Sequence, residues 1–154
     1  MKCKLLRYQL GLFLKMFKLY NKYKNAKVKT NIGTFDSKLE LRQFEILQWL
    51  EKAQKIKGLQ RQVRIKLGHS DKCKVYYIAD FIYFDCENKQ FVIHDSKGFE
   101  TPEFKIKLKW LLDCHSGFIF KVAKHNETIC YKPFNDDMPL PLAFAKMGIT
   151  TSKD

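Results

Sequence analysis

The chain reads as an α/β (α+β) layer fold, a central mixed sheet flanked by helices. Three features carry that expectation. A helix start at Ser37 is followed by apolar residues at helical spacing. Three runs rich in β-branched and aromatic residues then follow in close succession. A second helix start at Thr101-Pro102 leads into one further strand-like run. Helices with one apolar face need a sheet to cover, and this order supplies both partners.

The first helix is marked by Ser37 and Glu40, which have the spacing of a capping box. Phe44, Leu47 and Leu50 carry its apolar face to about Lys55, and Gly58 reads as its stop. RQVRIKL (61–67) alternates, placing Val63, Ile65 and Leu67 on one side of a half-exposed strand. KVYYIADFIYF (74–84) is the second strand, Asp85 to Lys89 a turn, and QFVIHD (90–95) the returning third. In the second helix Thr101 is the N-cap, Pro102 the first helical residue and Glu103 an early acid. It should run to about Ser116, with Gly117 beyond it, and FIFKVAK (118–124) is the fourth strand. Pro133, Pro139 and Pro141 make the tail irregular from about residue 131, with room for one short helix. The expected organisation is an extension over 1–19, a folded domain over 20–130 and a tail over 131–154.

A chain of 154 residues suits one domain with a real core, and 45% apolar residues argue against disorder. The formal charge of +13, from 29 Lys and Arg against 16 Asp and Glu, points to a polyanionic partner. Within residues 1–35 stand nine Lys and Arg and no acid. Lys22, Lys24, Lys27 and Lys29 form a lead-in suited to a phosphate backbone. The five cysteines contain no Cys-x-x-Cys pair and the four histidines no zinc-finger spacing, so the thiols read as reduced packing residues of a cytoplasmic protein.

LLRYQLGLFLKMFKLY (5–20) is apolar, yet Arg7, Lys15 and Lys18 interrupt it short of the ~20 residues a membrane span needs. No small-residue cleavage site follows it. It reads as a packing extension, with a basic amphipathic helix as the alternative and Met16 as an alternative start of translation.

The chemistry centres on a carboxylate inside an apolar strand. Asp80 interrupts Tyr76 to Phe84, and a lone buried carboxylate is costly unless paired, hydrogen-bonded or bound to metal. The turn at 85–89 brings Asp95 back beside it. Two neighbouring carboxylates repel unless a cation lies between them, and oxygen donors select Mg²⁺ or Mn²⁺. Lys97 shares a strand face with Asp95 because side chains alternate with period two. Glu40 and Lys107 fall on the inward faces of their helices, between or beside apolar residues. Each residue also has a plainer role. Glu40 can simply cap, Asp80 can pair with a lysine, DSKG can be a turn, and Lys107 can lie along its apolar neighbours.

A helix Glu (Glu40), a strand Asp (Asp80) and Asp95-Ser96-Lys97 on the adjacent strand, in an α-β-β-β-α-β order, resemble the PD-(D/E)xK restriction-endonuclease-like superfamily. More narrowly, FDSKLELRQFEIL, GLQRQVRIKL, YIADFIYFD, DSKG and TPEFKIKLKWLL resemble a family of small phage and prophage nucleases of that superfamily. The likeness covers roughly residues 20–124. One departure is Ser96, where an apolar residue is usual; its carbonyl would still be available to a metal.

The resemblance implies a Mg²⁺- or Mn²⁺-dependent endonuclease hydrolysing DNA phosphodiester bonds, with branched or replication and recombination intermediates of a phage as candidate substrates. It implies that Asp80, Asp95 and the Ser96 carbonyl hold the metal, with Glu40 on a second metal or a metal-bound water. Lys97 would orient the attacking water, Lys107 would support the phosphate, and Gln62 would assist in binding nucleic acid. DNA is the expected partner, a homodimer is left open, and no membrane is expected; the compartment would be the bacterial cytoplasm. The alternative is a non-catalytic nucleic-acid-binding protein derived from a nuclease fold.

Overall fold

The computed structural model describes residues 27–149. Residues 1–19, Lys22, Lys24 and the end of the tail therefore lie outside the described residues. The chain divides into two units, Met1–Lys38 and Leu39–Asp154. In the first, β1 (Val28–Thr30) and β2 (Gly33–Phe35) form an antiparallel hairpin that pairs Val28 with Phe35. Thr30 Oγ1 donates to the Gly33 carbonyl at 3.0 Å and closes the turn from its side.

Helix α1 (Lys38–Lys52) follows directly after Ser37 and buries Leu39, Glu40, Phe44 and Leu47. It ends earlier than the expected Lys55, because Gln54 turns out of the helix at φ 57°. Gly58 is not its stop. It lies inside strand β3 (Ile56–Lys66), with φ 67°, where the pairing shifts register between Lys57 and Gln60. A glycine accepts that left-handed backbone without a Cβ clash, so the residue marks a strand irregularity.

The second unit is built on a five-stranded sheet in the order β3-β4-β5-β6-β7. β4 (Tyr76–Asp85) and β5 (Gln90–Ser96) form a hairpin. Asp85 accepts from the Glu87 and Asn88 N–H groups, each at 3.1 Å, and from Asn88 Nδ2 at 2.9 Å, which holds the turn. Helix α2 (Pro102–Cys114) then crosses over to β6 (Phe118–Ala123), which lies parallel to β5. Thr101 caps α2 by accepting from the Phe104 N–H at 3.2 Å. The helix stops at Cys114, short of Ser116.

The tail is more ordered than its prolines suggest. β7 (Thr128–Tyr131) pairs antiparallel with β6, and a short helix α3 (Leu142–Ala145) follows. Ser116 Oγ donates to the Asp136 carbonyl at 3.0 Å and also to that of Met138, while His115 Nδ1 stands 3.3 Å from the Pro139 carbonyl. These bonds tie the irregular segment to the end of α2. The main core unites Ile65, Leu67, Ile82, Ile93, Leu111 and Phe120 from the sheet and α2, and Phe144 of α3 joins it. The result is a mixed α+β fold with a central mixed sheet flanked by helices. No helix among the described residues is long and apolar enough to cross a membrane.

Candidate active site

Asp80 and Asp95 come from neighbouring antiparallel strands. The β4–β5 register pairs Phe81 with His94 and, continued by one residue, sets Asp80 opposite Asp95. The β3–β4 ladder is irregular at the same level. Arg61 pairs with Phe81 and Val63 with Ala79, positions that would share a sheet face on regular strands. Instead Phe81 stacks on Phe44 of α1 at 6.0 Å, whereas Val63 and Ala79 belong with the core under α2. The alternation thus changes phase between them, where Gln62 adopts φ 50°. This strained position leaves Gln62 and Asp80 facing one another at the change of phase.

Asp95 is fully buried, and its Oδ2 gathers two partners. Tyr77 Oη donates to it at 2.7 Å and Lys97 Nζ lies 2.9 Å away. Its other oxygen, Oδ1, is buried with no hydrogen-bond partner. Asp80 Oδ2 accepts from the Ser96 N–H at 2.8 Å, and Oδ1 is 3.4 Å from Gln62 Nε2. The same amide donates to Glu40 Oε1 at 3.0 Å, so Gln62 bridges the two carboxylates. Arg61 stands over the Phe44 ring at 4.8 Å, with a guanidinium nitrogen 4.0 Å from Glu40.

Electrostatics follow from this crowding. Burial and the neighbouring Asp95 charge push the Asp80 carboxyl up to about 8, against the pull of Lys97 and the Ser96 N–H. Asp80 therefore keeps its proton near neutrality. Burial works against the Lys97 ammonium, but Asp95, Asp80 and Glu40 outweigh it and raise its pKa, so it stays charged. Burial and the Asp95 charge hold the Tyr77 hydroxyl protonated, well above its ordinary range. On the α1 side of the sheet, burial and Lys121 push His94 down to about 4, leaving it neutral against Tyr83.

The expected residues are thus brought together in part. Asp80, Asp95, Ser96 and Lys97 adjoin, with Glu40 linked through Gln62. The Gln62 amide, expected to bind nucleic acid, is placed between Glu40 and Asp80. Lys107 is not in the carboxylate cluster. Its Nζ lies 2.6 Å from Glu103 one turn earlier, at the edge of an open depression that it shares with Lys97. Lys27 is paired with Asp36 at 3.5 Å, both side chains exposed, and Lys29 is on β1 in the other unit.

Tyr77 and Arg61 escaped sequence reasoning. Tyr77 lies in an aromatic run that reads as core, which it is, while its hydroxyl reaches Asp95. Arg61 is one of the chain's many cations, and nothing in the local sequence marks it.

Among the described residues no group of three or more His, Cys, Asp or Glu side chains forms a ready metal cage. Two adjacent carboxylates, one with an unpartnered buried oxygen, are nonetheless a donor set suited to a hard divalent cation. No curated protein and no solved structure matches the chain. Residues 20–127, which carry all of Glu40, Gln62, Asp80, Asp95, Lys97 and Lys107, match the family described as "Protein of unknown function (DUF1064)", and the chain belongs to that family.

Proposed function

We propose that the chain is a Mg²⁺- or Mn²⁺-dependent deoxyribonuclease of the PD-(D/E)xK kind, an endonuclease that hydrolyses DNA phosphodiester bonds. The observation that carries this reading is the Asp95–Lys97 contact at 2.9 Å with a second carboxylate, Asp80, held beside it by the Ser96 N–H at 2.8 Å. A lone structural salt bridge gives no reason to force a second carboxylate against it at such a cost.

Asp80, Asp95 and the Ser96 carbonyl would hold the cation, with Glu40 adjoining through Gln62. A bound divalent ion supplies Lewis-acid polarisation of the phosphate and a water of lowered pKa. The chain's own groups do the rest. Tyr77 fixes one oxygen of Asp95 and leaves the other free. Lys97 is anchored at Asp95 while its side chain remains about a third exposed, so its ammonium faces an incoming phosphate. There it orients the attacking water and offsets the negative charge that develops as the P–O bond breaks. The excess of lysine and arginine binds the backbone without reading sequence. Branched and replication or recombination intermediates remain the candidate substrates.

The test is cleavage of a panel of linear, nicked, flapped, single-stranded and four-way DNA with Mg²⁺ or Mn²⁺. Asp95→Asn and Lys97→Ala should each slow cleavage at least about a hundredfold, roughly 2.7 kcal/mol of barrier, while DNA binding persists. Folded variants that cut as fast as the parent would refute the site. A parent protein that binds DNA but cuts none of the panel would favour a non-catalytic DNA-binding protein on a nuclease fold.

A further inference from the structure

An open depression of about 340 Å³ lies beside the carboxylates, at the start of β4 and the loop entering α2. Tyr76, Ile78, Lys97, Phe99, Phe104 and Lys107 are among its lining residues. Its composition is unusual for a surface hollow. Phe99 is 73% exposed and Ile78 54%, yet Lys97 and Lys107 stand beside them. Arg64 lies over the Tyr76 ring at 4.4 Å and Lys97 over Phe104 at 5.7 Å. Phe104 is buried beneath Lys97 and Phe99 is the exposed ring of the lining. Cations beside an exposed ring are the chemistry of unpaired nucleotides: the cations take the phosphates and the ring takes a base face. The bases of an intact duplex are stacked on one another and cannot reach a ring in this way.

We infer that this depression is a binding site for an unpaired nucleotide of a DNA strand, with Phe99 as the stacking surface. The inference rests on the nuclease reading for its choice of DNA as the polymer and sharpens it to substrates with single-stranded character. Lys97 is shared by the hollow and the Asp95 contact, so a nucleotide seated on Phe99 sets its neighbouring phosphate against Lys97. Lys107 is held at the rim by Glu103, itself exposed, which keeps a cation in place where the next phosphate passes. Thr101 and Glu103 also line the hollow; the Glu103 carboxylate is engaged by Lys107 and does not oppose the strand alone.

The test uses the full chain without divalent metal, titrated into single-stranded oligonucleotides carrying 2-aminopurine and into a matched duplex. Phe99→Ala should weaken single-strand affinity by about tenfold, the loss of one stacked base, and leave duplex affinity unchanged. Binding of the parent should quench 2-aminopurine, Phe99→Trp should preserve the quench, and Phe99→Leu should lose most of it. Because Phe99 is exposed, the melting temperature should not move, which separates stacking from folding. Equal losses on single strand and duplex, or no loss on either, would overturn the inference. Phe99-dependent quenching in a protein that cuts no DNA would uphold this site while removing the nuclease reading.

Discussion

Asp80 shows how a residue proposed to hold a metal can be costly for folding. Its carboxyl is raised from 3.8 to about 8 in the fold, so the folded protein holds a proton that the unfolded chain has lost. Stability should therefore decline as pH rises across that interval and level off above it. Asp80→Asn cannot ionise and escapes the decline. In EDTA it should melt higher than the parent above pH 8, with the difference vanishing towards pH 4; with Mg²⁺ supplied, it should cut DNA at least about a hundredfold more slowly than the parent. Thermal melts across that range check the sign; a variant less stable than the parent at high pH would mean that the carboxylate is well solvated or paired. Asp95 and Lys97 were readable as partners because period-two alternation places i and i+2 on one face. Tyr77 was not, since an aromatic in an apolar run carries no sign of what its hydroxyl meets.

At the level of elements, the helix starts were the most legible features, because Ser37, Thr101 and Pro102 act through local backbone chemistry. The β4–β5 hairpin was legible for the same reason. Asp85 takes three hydrogen bonds from Glu87 and Asn88, and although burial works against its charge, these bonds and Lys121 hold its pKa below the ordinary value. Asp85→Ala should cost about 2 kcal/mol in urea unfolding at neutral pH. That contribution is present above the unfolded pKa of 3.8 and fades as pH falls through the lower folded value, so the gap between parent and variant should narrow in acid. Less legible were β3 and β7. Gly58 resembles a helix stop in sequence, and only the sheet pairing reveals it as an irregularity within a strand. β7 has four residues in a polar setting, too few for alternation to register. The change of phase at Gln62 was invisible altogether, since it depends on a left-handed backbone at a residue type that seldom adopts one.

For the whole molecule, the net charge of +13 makes a prediction independent of any one residue. Binding to duplex DNA should fall by about a hundredfold or more between about 50 and about 200 mM salt, with a linear log–log slope. A flat salt dependence, measured by fluorescence anisotropy, would mean that the basic surface does not meet the backbone. A chain so rich in strand also has to keep other copies of itself at bay. Among the described residues β3 is an outer strand of the sheet, eleven residues long and open on one side. A straight, apolar strand in that position would offer its free N–H and carbonyl groups as a template for another chain. The left-handed turns at Gly58 and Gln62 cut it into short lengths, and Lys57, Arg61, Arg64 and Lys66 charge them. The distortion that brings Gln62 and Asp80 face to face thus also guards the protein against fibril-like self-pairing.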